Sequence, residues 1–216
     1  MEVSTMFEML ISGYGVSLQI FFVTLVGAAV LGIPVALGRL SRFKPLSWLM
    51  AIYISLMRGT PLMLQMFAVF FVPYYVFGVV TGPSYMMVAV LIAFVVNYAA
   101  DFAGIYRSGI QSMPRGQYEA AEVLGYSHTQ TFFRIILPQV VKRIMPSVTN
   151  EVITLVKDTS LAFTLAYQEV FSLAKQISAS QTSFMPFLIA GVFYFVANYV
   201  VEFVMGRIEK ALDYYK

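Results

Sequence analysis

Residues 59 to 100 read GTPLMLQMFAVFFVPYYVFGVVTGPSYMMVAVLIAFVVNYAA and contain no Asp, Glu, Lys or Arg. A membrane-spanning helix needs about 20 mostly apolar residues, so this stretch is long enough for two. The turn-forming residues Thr81-Gly82-Pro83-Ser84 divide it. The sequence therefore predicts two spans here, 62–80 and 85–106, joined by a short hairpin.

Two other windows, residues 9–38 and 176–201, also lack charged residues. They predict one span each, at 14–37 and 184–204. A further span is predicted at 143–166, although acidic and basic residues interrupt it. We therefore expect an all-α, polytopic membrane protein with about five spanning helices.

The composition agrees with a membrane protein. Hydrophobic residues make up 59% of the chain and charged residues 12%, whereas about a quarter of the residues in soluble domains are charged. A disordered chain, a nucleic-acid-binding protein and an ordinary soluble enzyme are excluded, and residues 1–216 are expected to form a single permease-like domain. The chain has no cysteine and one histidine, His128, so a thiolate or histidine-rich metal site is not expected.

The basic residues predict the orientation. If the N-terminus is outside, only Lys157 and Lys175 of the fourteen basic residues fall on the outer side. Since cytoplasmic loops carry an excess of Lys and Arg, the topology is predicted to be N-out and C-in.

Residues 107–142 form the one long hydrophilic connection between the predicted spans. Pro114 suits the first turn of a helix, and Gly125 suits the left-handed position that ends one. We expect a short helix that offers Glu119, Ala120 and Ala121 to the cytoplasm. Such a helix either docks in a groove of a partner protein or lies on the lipid headgroups.

This loop resembles the EAA loop of ABC-importer permeases. Glu119-Ala120-Ala121, three residues, Gly125, nine residues and Ile135-Ile136-Leu137-Pro138 follow one another with the spacing of that motif. The resemblance implies a type I ABC-importer fold and a coupling helix that docks on a separate ATP-hydrolysing subunit.

Other segments are similar to the polar amino-acid branch of that family, which includes permeases for histidine, glutamate, glutamine, arginine and opines. They are Arg58-Gly59-Thr60-Pro61-Leu62, Asn97-Tyr98-Ala99-Ala100-Asp101 and Lys157-Asp158-Thr159-Ser160-Leu161. The chain departs from the family pattern at Asp101, where Glu is usual, and at Ser108, where Gly is common.

The sequence contains no G-x-x-x-x-G-K-[ST] phosphate loop. If transport is driven by ATP, a partner subunit must bind ATP and Mg²⁺, and this chain needs no cofactor and is not an enzyme. The resemblance implies a dimer of ATP-binding-cassette subunits, a second permease (the same chain or a related one) and an extracytoplasmic amino-acid-binding protein, at the inner membrane of a prokaryotic cell. An ion-coupled secondary carrier for amino acids is the alternative.

Two acids fall within predicted spans, where ionisable groups are expensive and commonly mark transport pathways. Asp101 lies about 9 Å along a helix from Arg107, and Glu151 lies about 12 Å beyond Arg143. At these similar depths they can line one cavity with Asn97, and we expect them to bind a polar, cationic amino acid such as arginine, lysine or histidine, with glutamine as another candidate. The alternative is that each acid pairs with a cation, Asp101 with Arg107, or caps a backbone group, and in this way holds the helices in register.

Two other segments are candidate parts of the pathway. A break at Gly59 divides one membrane segment into two half-helices if Thr60 caps the second half, which would place Thr60 and Arg58 at a substrate carboxylate. Alternatively, Arg58 is an anchor at the interface. Lys157 and Asp158 are predicted to form a structural element, with Asp158 or Thr159 capping the next helix and Lys157 pairing with it across the break. The resemblance to the family implies instead an element near the gate.

Overall fold

The computed structural model describes residues 3–212 and shows no strand within them. The chain forms nine α-helices over this range: α1 (Val3–Leu40), α2 (Lys44–Gly59), α3 (Leu62–Phe77), α4 (Pro83–Gln111), α5 (Arg115–Val123), α6 (His128–Gln130), α7 (Leu137–Asp158), α8 (Val170–Gln181) and α9 (Met185–Ala211). A π-helical turn, Thr131–Ile136, joins α6 to α7, and a 3₁₀-helix, Thr159–Leu165, follows α7.

Three of these helices, α1, α4 and α9, are long and apolar enough to cross a membrane. The predicted spans 14–37 and 85–106 lie inside α1 and α4, and the predicted span 184–204 matches α9 except for its last seven residues. The all-α membrane fold expected from the charge-free windows is therefore confirmed.

The predicted span 62–80 is only half of a longer element. Helices α2 and α3 qualify as a span only as a pair, and their axes are bent by 109° at the break between them. The physical reason is Pro61, which has no backbone N–H and disfavours helical geometry in the preceding residue. Thr60 is accordingly extended (φ −124°, ψ 145°), and α3 ends at the left-handed Gly78, before residue 80.

Residues 143–166 belong to a helix that begins earlier than predicted. α7 starts at Leu137, includes Pro146 and ends at Asp158, after which the chain tightens into the 3₁₀-helix. Because α7 contains several charged residues, it is not among the helices that are long and apolar enough to cross a membrane. That this segment crosses the membrane therefore stays a prediction.

Helix α4 is the centre of the molecule and packs against α1, α2, α3 and α7. Its aromatic side chains Phe94, Tyr98 and Phe102 are at most 2% exposed. The crossing with α1 is close because Gly32 faces α4: a Cβ at this position would lie 2.9 Å from the Phe102 Cβ. The neighbouring Ala28 and Ala36 are buried, as expected of a small-residue stripe at a helix crossing.

The helix ends form two opposite poles. One pole, called the α8 end, holds the start of α1, the α3–α4 turn and α8, and the other, called the α5 end, holds the α1–α2 turn, α5 and the end of α9. Most basic residues lie towards the α5 end, and Lys175 lies at the α8 end. The direction in which this axis crosses the membrane stays a prediction.

Candidate functional site

Four charged side chains from three helices lie close enough in the middle of the molecule to interact electrostatically. Arg58 ends α2, Asp101 lies on α4, and Glu151 and Asp158 lie on α7. The charges of Arg58, Asp101 and Asp158 all act on the Glu151 carboxylate. The structure therefore brings together the two acids that the sequence placed at similar depths, and we call these four residues the acid cluster.

Asp101 is paired, but not with the partner expected from the sequence. Its Oδ1 lies 3.0 Å from the Arg58 Nε, and the side chain of Asp101 is 23% exposed while that of Arg58 is 57% exposed. The prediction that Asp101 pairs with Arg107 is wrong. The bend between α2 and α3 places Arg58 beside α4 at the depth of Asp101. The spacing of residues on α4 alone does not indicate this contact.

Asp158 is held by a residue whose side chain received no role from the sequence. The Tyr98 hydroxyl donates a hydrogen bond to the Asp158 Oδ2 (2.8 Å). Tyr98 is fixed in turn, because its ring stacks on Phe94 with an interplanar angle of 5°. One carboxylate oxygen of Asp158 thus has a rigid donor.

Glu151 differs from the other two acids. No hydrogen bond or ion pair to its carboxylate occurs within the described residues. It lies on a polar stripe of α7 with Ser147, Thr154 and Asp158, which are spaced by four, three and four residues and therefore share one face. The opposite face of α7 is buried and apolar, with Val152 and Val156 among its members.

The polar groups of Asn97 and Thr60 form hydrogen bonds at the break between α2 and α3. The Asn97 Nδ2 donates to the Met57 carbonyl and to the Gln65 Oε1, both at 3.0 Å. The Gln65 Nε2 donates to the Thr60 Oγ1 (2.8 Å) and to the Met57 carbonyl (3.0 Å). We call Thr60, Gln65 and Asn97 the break network, because it satisfies backbone carbonyls that the bend leaves without helical partners.

Thr60 does not cap α3 as predicted. Pro61 occupies the N-cap position without a side-chain hydrogen bond, and the Thr60 Oγ1 donates back to the Leu56 carbonyl at 2.8 Å. Thr60 is thus the C-cap residue of α2, and its hydroxyl group satisfies a carbonyl in the last turn of that helix. The assignment of Thr60, Asn97 and Arg58 to a substrate stays a prediction.

The predicted capping role of Asp158 or Thr159 is also wrong. The 3₁₀-helix after Asp158 has no side-chain cap, and the Thr159 Oγ1 donates to the Val156 carbonyl at 2.8 Å. The next capped helix is α8, where the fully buried Glu169 accepts hydrogen bonds from the backbone N–H groups of Phe171 (2.7 Å) and Ser172 (2.6 Å). Its position just before a helix-forming run was the available signal for this cap.

The predicted loop helix is present at the α5 end. Pro114 is extended (φ −61°, ψ 140°) and precedes α5, and Gly125 follows it in the left-handed conformation (φ 79°). Glu119 and Ala120 are exposed, but Ala121 is 2% exposed. The expectation that Ala121 is offered outward is therefore wrong, because α5 packs one face on the π-helical turn before α7.

The described residues contain no group of His, Cys, Asp and Glu side chains with the arrangement of a metal site. The acid cluster offers a partly exposed carboxylate, two restrained acids and one guanidinium at mid-depth, and it can bind a polar or cationic solute. Helix α5 is a short, exposed helix at one pole, and it can dock on a protein.

Comparisons with known proteins address both features. Residues 28–214 match the family described as the binding-protein-dependent transport system inner membrane component. The L-cystine transport system permease of Bacillus subtilis is 36% identical, and the alignment covers 86% of this chain and 79% of the relative. The arginine transport system permease of the same organism is 32% identical over 94% and 92% of the two chains. A crystal structure of an amino acid ABC transporter with histidines superimposes with a TM-score of 0.86, at 28% identity and 94% coverage of both chains.

Proposed function

We propose a transport mechanism from the premise that this chain belongs to the binding-protein-dependent transport system inner membrane components and is the permease component of an amino-acid ABC importer. In this mechanism it forms one half of a gated pathway across the bacterial inner membrane. A second permease, the same or related, supplies the other half. The N-terminus faces outward and the α5 end faces the cytoplasm, as the basic residues predict. Among the relatives compared, none favours the ion-coupled carrier.

The substrate of this pathway is a cationic amino acid, and Glu151 carries the assignment. A carboxylate without a partner at bilayer depth is costly unless it faces water or a counter-charge. The polar stripe of α7 gives Glu151 that exposure, and Asp101 and Asp158 add negative charge beside it. Since Arg58 neutralises only one of the three acids, the acid cluster favours a solute that brings positive charge.

The relatives support a polar amino acid and give partial support to a cationic one. One is named for arginine and one solved neighbour for histidines, which agrees with an acid-lined site. Another is named for L-cystine, which carries two ammonium and two carboxylate groups. Glutamine is therefore the second substrate to test.

Uptake measurements with a Glu151→Gln variant test the assignment. The chain is reconstituted in vesicles with its ATPase partner and its binding protein, and ATP-driven uptake of arginine and glutamine is measured. We expect arginine uptake at limiting concentration to fall at least tenfold, which corresponds to about 1.4 kcal/mol, and the preference for arginine over glutamine to shrink. Glu202→Gln, at an exposed acid on α9, is the matched control and leaves both values unchanged. If Glu151→Gln transports arginine like the parent, the substrate assignment is wrong.

The second part of the mechanism is the coupling of α5 to the ATPase. Helix α5 is only nine residues long, and it is held by the extended Pro114 at one end and the left-handed Gly125 at the other. Its Glu119 and Ala120 face outward, while Ala121 anchors the other face to the protein. An ATPase that grips the exposed face can therefore move α7 through the π-helical turn, and ATP with Mg²⁺ is bound and hydrolysed on that partner.

Gly125→Ala tests this coupling. A side chain at φ 79° strains the end of α5, so we expect fewer ATPase subunits to co-purify and uptake to fall. Gly78→Ala is the control, because Gly78 has a similar φ of 67° at the opposite pole and, like Gly125, has open space around its Cα. Equal losses in both variants would contradict a specific role of α5. Concentrative uptake by the chain alone, without an ATPase, would contradict the whole mechanism.

A further inference from the structure

A cavity of about 760 Å³ opens between the first turn of α5, the first turns of α7 and the last turns of α9. Its walls combine apolar and basic side chains, among them Met113, Lys142, Arg143, Pro146, Gly206, Glu209 and Lys210. Within the described residues, three basic side chains and one acid line it. Neither the acid cluster nor the exposed face of α5 includes these residues, so the cavity is a separate feature.

The position of Arg143 in the cavity is fixed by hydrogen bonds to the end of α4. Its Nη1 donates to the backbone carbonyl of Ser112 (2.7 Å) and to the Ser112 Oγ (3.2 Å). These bonds tie the start of α7 to the end of α4 and hold the guanidinium at the wall. Lys210 approaches from α9, so positive charge reaches the cavity from two separate helices.

The cavity is separated from the acid cluster along α7, because Arg143 lies about 12 Å along the helix from Glu151, and two of the other α7 residues that line it point away from Glu151. Lys142 precedes Glu151 by nine residues, which is two and a half helical turns and therefore the opposite face. Pro146 precedes Glu151 by five residues and also points away from the polar stripe. Glu151 and Asp158 are not among the residues that line this cavity.

The surface beside the cavity is apolar. On α9, Phe203 is 55% exposed, Val204 47% and Ile208 41%, and the Arg207 guanidinium stacks over the Phe203 ring at 5.2 Å. An exposed apolar helix that gives way to basic residues marks the level of the lipid headgroups. The cavity opens at that level, within one turn of these residues.

We propose that this cavity binds the phosphate headgroup of an anionic phospholipid. Arg143 and Lys210 contact the phosphate, and Met113 and Pro146 pack against the glycerol and the first acyl carbons. Basic pockets between membrane helices are suited to acidic headgroups, because the phosphate meets charge and donors while its chains stay on the apolar surface. The lipid therefore joins the ends of α4, α7 and α9 next to α5.

A substitution at Gly206 tests this by filling the cavity without changing its charge. A Cβ at Gly206 meets no atom within 4 Å, and the same holds for Gly191 on the same helix outside the cavity. The transporter complex carrying Gly206→Leu or Gly191→Leu is purified from phosphatidylcholine vesicles that contain phosphatidylglycerol, and retained lipid is counted by native mass spectrometry. We expect Gly206→Leu to retain at least fivefold less phosphatidylglycerol, and Gly191→Leu to match the parent. Equal retention by all three overturns the proposal.

A charge variant provides the second measurement. We expect Arg143→Gln with Lys210→Gln to lower retention at least fivefold, since each basic contact near an anionic surface contributes about fivefold in affinity. Arg42→Gln with Lys44→Gln removes the same charge from exposed positions at the same pole and leaves retention unchanged. Equal loss in both double variants overturns the proposal, because it shows general surface attraction.

Two further arms separate the lipid from other occupants. Inorganic phosphate added to complexes in pure phosphatidylcholine is expected to give no thermal stabilisation, whereas phosphatidylglycerol stabilises the parent and not Gly206→Leu. If inorganic phosphate stabilises the parent and Gly206→Leu abolishes this effect, the cavity binds a soluble anion, and the lipid proposal is wrong. If the Gly206→Leu complex loses the ATPase subunit but retains as much lipid as the parent, the cavity is a contact with that protein, and the lipid proposal is wrong. None of these readouts depends on which amino acid is transported.

Discussion

The α4 side and the α7 side of the acid cluster carry similar polar residues but use them differently. On α4, Asn97 bonds to Gln65, Tyr98 to Asp158 and Asp101 to Arg58. On α7, Glu151 has no such partner within the described residues, Ser147 is exposed, and the exposed Thr154 donates only to the Asn150 carbonyl of its own helix. The α4 side therefore holds helices together, while the α7 side is available to a solute. A polar residue at bilayer depth is evidence of transport only when its hydrogen-bonding groups are unused.

The break network gives the largest expected difference in stability. Gln65→Leu leaves the Asn97 amide and the Met57 and Thr60 carbonyls short of a partner, and we expect a loss of about 2 kcal/mol. Gln176→Leu, at an exposed glutamine of α8 with one 3.3 Å hydrogen bond, is expected to cost less than about 0.5 kcal/mol. Both are measured by thermal unfolding of the purified complex. A stable Gln65→Leu variant would contradict the structural role of this network.

The Arg58–Asp101 pair gives the next effect. Asp101→Asn leaves Arg58 without its counter-ion, but Arg58 is 57% exposed, so we expect a loss of about 1–2 kcal/mol rather than that of a fully buried pair. Adding Arg58→Gln to Asp101→Asn should recover part of the loss. Stabilities of the two single variants, the double variant and the parent give the coupling energy. Additive losses would show that the ion pair contributes nothing.

Removal of the Tyr98 hydroxyl is expected to cost about 1.5 kcal/mol, the lower end of the contribution of a hydrogen bond to a charged group. Tyr98→Phe keeps the ring that stacks on Phe94 and removes only the donor to Asp158. Tyr199→Phe, at a tyrosine 64% exposed on α9, serves as the control in the same thermal assay. If Tyr98→Phe and Tyr199→Phe unfold at the same temperature, the hydrogen bond from Tyr98 does not hold Asp158.

The smallest expected change in stability belongs to Glu151. Because its carboxylate makes no hydrogen bond or ion pair in the described residues, Glu151→Gln should change the free energy of unfolding by less than about 0.5 kcal/mol. The same variant is expected to have the largest effect on arginine uptake. A strongly destabilised Glu151→Gln would show that the α7 side is structural as well and would remove the contrast between the two sides.

Local sequence patterns predicted the elements that depend on local physics. Charge-free windows gave α1, α4 and α9, and Pro114 with Gly125 gave the bounds of α5. Each of these follows from apolar length or from the conformational range of one residue.

The remaining features depend on contacts between segments far apart in the chain. Arg58 and Asp101 are 43 positions apart, and only the 109° bend between α2 and α3 brings them together. Tyr98 meets Asp158 across 60 positions, between α4 and the end of α7. Spacing within one helix favoured Arg107 as the partner of Asp101, and the tertiary arrangement decided otherwise.

The break between α2 and α3 has a consequence for the order of events during biosynthesis. The Met57 carbonyl accepts one hydrogen bond from Gln65 within the hairpin and a second from the Asn97 amide, which leaves the ribosome 40 residues after Met57. Until α4 enters the bilayer beside it, the kinked hairpin lacks this second donor to Met57 and the donor to the Gln65 Oε1. Insertion of the second and third transmembrane segments is therefore cooperative, and a nascent chain arrested before Asn97 should remain beside the translocon instead of partitioning into lipid.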